Sequence, residues 1–94
     1  MHFEWDLEKE KENIKIHGVN FSKAREVFKD PKRIYIDDKK HHHKEKRFFC
    51  IGFDGDKILT VRFTLRGNST RIFGAGYWRK TRKIYEKENQ IHRR

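Results

Sequence analysis

The chain reads as an α+β fold, and three observations carry that expectation. Phe21, Ala24, Val27 and Phe28 recur at helical spacing behind a capping Asn20. From residue 59 the period drops to two: Leu59, Val61, Phe63 and Leu65 alternate with Thr60, Arg62, Thr64 and Arg66. Two turn dipeptides, Asp54-Gly55 and Gly67-Asn68, bracket that alternating run. The expected architecture is two N-terminal helices, a four-stranded antiparallel β-meander and a C-terminal helix. One domain accounts for residues 1–94, because 94 residues cannot build two separate cores.

The elements follow in order. Asp6 caps a first helix that ends at Gly18, which suits the left-handed position after a helix. Its charges interleave, with Glu8, Glu10 and Glu12 among Lys9, Lys11 and Lys15, and Leu7 and Ile14 form a thin apolar stripe. Phe3 and Trp5 are therefore expected to anchor it. The second helix starts after Asn20 and stops at Pro31. Arg33 to Ile36 reads as a short strand, and Asp37 to Lys46 as a polar loop carrying His41, His42 and His43. Strands follow at Arg47–Phe53, along the alternating run, and at Arg71–Ala75. Gly74-Ala75-Gly76 breaks the pattern, and a last helix begins near Trp78 with Ile84 and Tyr85 turned inward.

Apolar residues make up 34% of the chain and charged residues 40%, so the core must be thin. Eight Phe, two Trp and three Tyr compensate by burying a large area each. The net charge of +10 is concentrated at one end. Residues 62–94 hold 10 Lys/Arg against 2 Asp/Glu, whereas residues 1–38 hold 8 against 9. Such a basic end favours a polyanion, either a nucleic acid or an acidic protein segment. Cys50 is the only cysteine, so no intrachain disulfide can form, and a reducing, cytoplasmic setting is expected. Its neighbours Phe48, Phe49 and Ile51 mark it as a buried hydrophobe rather than a nucleophile. The opening Met-His-Phe-Glu has no signal-peptide pattern, and no apolar run approaches the roughly 20 residues that span a bilayer.

One scattered set of unlike residues says more than the totals. It comprises Phe3-Glu4-Trp5-Asp6, Asn13, His17-Gly18-Val19, Phe21, Ala24 and Val27-Phe28-Lys29-Asp30-Pro31. This set resembles the start of the BrnT family of bacterial toxins. Arg47, Ile51-Gly52, Thr64, Arg66-Gly67, Arg71-Ile72 and His41 also fall at family-like positions, and the likeness runs from Phe3 to about Tyr85. The resemblance implies a RelE-like ribonuclease fold and a toxin that inhibits translation by cutting RNA. It also implies a partner antitoxin of the BrnA type, a ribbon-helix-helix DNA-binding protein, so that DNA is reached only through the antitoxin. A departure stands near the other end. Where the family commonly reads Ser-Ala-Arg, this chain has Gly74-Ala75-Gly76. An alternative function is therefore a non-catalytic module of the same family that binds RNA or antitoxin.

RNA cleavage without a metal needs a base for the 2′-hydroxyl, an acid for the leaving oxygen and cations for the phosphorane. Arg66 and Arg71 are the leading cationic candidates, since an arginine can grip a phosphate through two parallel hydrogen bonds. Arg62 shares a strand face with Arg66 and ranks behind it. His17 and His41 are the candidates for proton transfer. Against these readings, the arginines could be a solvated sheet face, His17 could cap its helix and His41 could lie in a solvated loop. Tyr77, Arg79, Lys80, Arg82 and Lys83 form an aromatic-basic cluster suited to RNA, with Tyr77 the exposed stacking residue and Trp78 a buried anchor. Neither a cofactor nor a metal is expected, because three consecutive histidines cannot easily aim at one ion and no spaced partner completes a zinc motif.

Overall fold

Capping chemistry sets the helix boundaries. A computed structural model describes residues 1–41 and 44–91. Helix α1 spans Leu7–His17. The Asp6 carboxylate accepts from the N–H groups of Glu8 and Lys9, and Gly18 closes the helix at φ 70° while its N–H reaches the Ile14 carbonyl. Helix α2 covers Phe21–Glu26, capped by the Asn20 side chain, and passes into a 3₁₀ turn at Val27–Lys29. The second helical segment is thus six α-helical residues and a tighter turn, not one helix running to Pro31. Helix α3 spans Arg79–Glu88.

Among the described residues five strands form one mixed sheet: β1 (His2–Glu4), β2 (Ile34–Asp37), β3 (Arg47–Phe53), β4 (Ile58–Arg66) and β5 (Ser69–Gly76), in spatial order β1-β5-β4-β3-β2. The antiparallel order from β2 to β5 follows expectation, but β5 continues through Gly74-Ala75-Gly76, where the strand pattern was expected to break, and β2 starts at Ile34 rather than Arg33. The fifth strand also corrects the expectation, because β1 pairs in parallel with the start of β5, placing Phe3 opposite Thr70 and Glu4 opposite Arg71. Three residues show no readable period, and their partner lies far along the chain.

Helices cover both faces of the sheet. On the inner face, Val19, Phe21, Ala24, Val27 and Phe28 pack against Cys50, Leu59, Val61, Phe63, Ile72 and Ala75. Burial pushes the Cys50 thiol up to about 12, as suits an inert core residue. On the outer face α3 crosses one end of the sheet. The Thr60 and Thr81 hydroxyls meet at 2.5 Å, and the Tyr85 hydroxyl donates to Asp30 at 2.7 Å.

Asn13, the buried residue of α1, joins the helix to the sheet. Its amide nitrogen donates to the carbonyls of Val19 and Ala75, both at 2.9 Å, and its amide oxygen accepts from the Ala75 N–H at 3.1 Å. Strand β1 pairs with β5 only as far as Arg71. Beyond that point Asn13 supplies to Ala75 the donor and acceptor that a neighbouring strand would have offered.

Candidate active site

Residues paired across antiparallel strands share a face of the sheet. The register therefore sets out the outer face. Arg47 lies opposite Thr64, Phe49 opposite Arg62 and Ile51 opposite Thr60. Across β5, Gly74 faces Arg62 and Arg71 faces Thr64. A bulge at Arg62/Phe63 leaves Phe73 as an extra residue on β5. The guanidinium groups of Arg47 and Arg62 lie over its ring, at 4.7 and 5.1 Å from the centroid. The bulge thus gathers two cations on one aromatic plate, a recurrent use of bulges beside active sites.

Arg62 also belongs to two cavities. One, of about 450 Å³, lies between α3 and the loop after β2, lined by Asp38, His41, Phe49, Thr60, Arg62, Trp78, Lys80 and Thr81. The other, of about 260 Å³, runs beside α1 and includes Lys9, Glu12, His17, Arg62, Phe73 and Gly74. In the first, His41 Nδ1 sits 2.7 Å from a carboxylate oxygen of buried Asp38. An Asp-held imidazole keeps its Nδ1 proton on the carboxylate side and offers Nε2 to a substrate. Lys80 lines the same cavity, and neither it nor Arg62 makes an ion pair among the described residues.

The other expected site residues fall in several places. Arg66 pairs with Glu45 at 3.2 Å and Arg71 with Glu4 at 3.3 Å, both toward the end of the sheet remote from α3. Arg66 stands four positions along the strand from Arg62, about 13 Å at the usual rise. His17 is exposed at the end of α1, its ring edge-on to Trp78 at 5.4 Å. Arg79 and Arg82 line a separate cavity with Phe53 and Lys57. Lys83 points to solvent from α3. Tyr77 is half-buried, and its hydroxyl donates to Asp54 at 2.6 Å. Burial, then the Asp54 bond and charge, push that phenol well above its usual value. His42 and His43 of the histidine run lie outside the described residues.

The two aromatic neighbours exchange the parts expected of them. Trp78 is 36% exposed, whereas Tyr77 is tied down. Gly76 explains the indole's position. A Cβ at residue 76 would stand 2.8 Å from Trp78 Cη2 and 2.9 Å from Cζ2, so the ring occupies space that only glycine leaves open. Gly76 and Trp78 are thus a fitted pair, and the ring forms a wall of two cavities.

Asp38, Arg47, Phe49 and Phe73 were absent from the expected site. The Asp38-to-His41 spacing of three residues, able to close a hydrogen-bonded turn, was a usable signal. Nothing local foretold Phe73, whose place depends on the bulge. Among the described residues no group of three or more His, Cys, Asp or Glu side chains could hold a metal ion. No helix among them is long and apolar enough to cross a membrane.

Comparison with curated proteins gives no match. Comparison with protein families gives one over residues 5–81, described as "Ribonuclease toxin, BrnT, of type II toxin-antitoxin system". That span runs from Trp5 to Thr81 and includes His17, Asp38, His41, Arg47, Arg62, Phe73, Trp78 and Lys80. The outer-face residues gathered around Arg62 thus all fall within the matched region, and the chain belongs to the BrnT family of type II toxin–antitoxin ribonucleases.

Proposed function

We propose that this toxin cuts RNA at the outer face of its sheet, without a metal ion, in the cavity shared by His41 and Arg62. The single observation behind this reading is the Asp38-held His41 lining one cavity with Arg62 and Lys80. The arrangement supplies the parts metal-free cleavage requires. His41 takes the 2′-hydroxyl proton through Nε2, while Asp38 fixes the ring. Arg62, Arg47 and Lys80 neutralise the phosphorane as its charge grows. His17, across Arg62 in the adjoining cavity, is the candidate acid for the leaving oxygen. Arg66 and Arg71, already paired with glutamates, guide the RNA backbone at the margin. A RelE-like mode of action, a BrnA-type antitoxin as partner and a cytoplasmic setting belong to the same reading.

A specific observation bears on the non-catalytic alternative. Gly76 stands where the family commonly has arginine, but Trp78 fills the space that side chain would need. The substitution is accommodated by a fitted aromatic ring, which argues for a rebuilt site rather than a decayed one.

The deciding experiment is cleavage of a defined RNA in EDTA by the parent chain, Arg62→Ala, His41→Ala and Arg66→Ala. Loss of about 10²-fold or more is expected for His41→Ala and Arg62→Ala. Arg66→Ala should stay within about tenfold of the parent, as befits an exposed ion pair. Full activity in His41→Ala would remove the assigned base. An inactive but folded parent would favour the binding module.

A further inference from the structure

The cavity on the far side of Trp78 has no part in the chemistry just described. It measures about 470 Å³, within the range of small-molecule sites. Phe53 and Trp78 supply aromatic surface, 47% and 36% exposed respectively. Lys57, Arg79 and Arg82 add three positive charges, and none makes an ion pair among the described residues. Among the described residues, the buried Arg82 Nε has no hydrogen-bond partner. Three cations left together repel one another, and a bound anion relieves the repulsion. The one carboxylate in the lining is Asp56, which lies 4.0 Å from Lys23.

We infer that this cavity is a nucleotide subsite of the toxin, which holds the guanine nucleotide next to the one being cut. The inference rests on the RNA-cleaving reading of the neighbouring cavity, with which it shares the Trp78 wall. The base stacks on Phe53 or Trp78, since any base offers a π-face to an aromatic side chain. Its phosphate meets Lys57, Arg79 and Arg82. Asp56 supplies the selectivity. A carboxylate can only accept hydrogen bonds, and guanine alone among the RNA bases presents an imino N–H beside an amino group on one edge.

The test is titration of the full chain with GMP, UMP and inorganic phosphate, followed by the Trp78 indole and Phe53 resonances. Phe53→Ala, Arg79→Ala and Asp56→Asn are run beside the parent, each at an exposed side chain and each checked by thermal melting. GMP should bind at least about tenfold more tightly than UMP. Phe53→Ala and Arg79→Ala should each weaken it about tenfold, and Asp56→Asn should erase the preference. Equal binding of GMP, UMP and phosphate would overturn the base subsite. So would a glutamate-rich peptide that perturbs these resonances more strongly than GMP, since the surface would then be a protein dock. Selective GMP binding by a chain that cuts no RNA would uphold the subsite and sink the nuclease reading alone. Cleavage with no perturbation around Phe53 would do the reverse.

Discussion

Gly76→Ala puts one methyl group against the Trp78 ring, and the structure permits a signed expectation. The added Cβ would lie 2.8, 2.9 and 3.2 Å from three ring carbons, and ordinary contact begins near 3.4 Å. The ring must withdraw by at least about 0.6 Å. It can do so, because one side is open to solvent, so the expected cost is about 1–2 kcal/mol, in the lower part of the overpacking range. In a Trp78→Ala background the obstacle is gone. Gly76 does not have positive φ, so alanine there should stabilise by about 0.4–1 kcal/mol through the unfolded chain. The same substitution therefore changes sign between backgrounds, with a coupling energy of about 1.5–3 kcal/mol. Urea unfolding of the four proteins at neutral pH measures it, with the destabilised single variant shifted by about 1 M at a typical slope. Additive effects would show that Gly76 is not held open for Trp78, and the fitted-pair explanation would fail. Gly76→Arg meets the same ring, so it should displace the indole and red-shift its fluorescence.

Other consequences are as direct. Asn13→Ala leaves the Ala75 N–H and carbonyl without partners inside the fold, and a loss of about 3–5 kcal/mol is expected by chemical denaturation. Asn13→Asp should fare no better, because a carboxylate cannot donate to the Val19 and Ala75 carbonyls. Two Tyr–Asp bonds should narrow the pH range of stability from both sides. Burial raises the carboxyls of Asp30 and Asp54, but hydrogen bonds from tyrosine hydroxyls and backbone N–H groups outweigh it, and both end below the ordinary 3.8. Their stabilisation is complete above about 3.8 and is lost as pH falls through the folded values. Tyr85, raised to about 12 by burial and then by Asp30, stabilises fully below 10 and loses that contribution as pH climbs toward 12. Melting temperatures across pH should show both losses, with a smaller alkaline one in Tyr85→Phe. RNA binding should weaken steeply with salt, and a flat dependence would refute a backbone-tracking surface.

Much of the secondary structure was legible beforehand, and for local reasons. Strand β3 falls on the expected Arg47–Phe53, and both α1 caps act as their chemistry suggested. Strand β1 was hidden because its partner is non-local. The site was harder. Alternation along β4 placed Arg62 and Arg66 on one face, and the family likeness put Arg66 first, whereas the proposed site puts Arg62 first. The ranking depends on where α3 crosses and where the bulge lifts Phe73, both tertiary facts. Leu65 shows the same limit from the apolar side. It shares the face of Leu59 and Val61, yet it is 58% exposed while they are fully buried, a difference that alternation does not show.

The parallel seam between β1 and β5 has a consequence for how the toxin comes into being. Glu4 meets Arg71 across a separation of 67 residues, so the first strand finds its neighbour only after most of the chain exists. Contacts this remote in sequence close large loops and slow folding. During synthesis the N-terminal segment therefore leaves the ribosome well before the sheet edge it completes. Sheet closure then comes as a late step, and the nascent chain spends most of its synthesis as an unfinished nuclease.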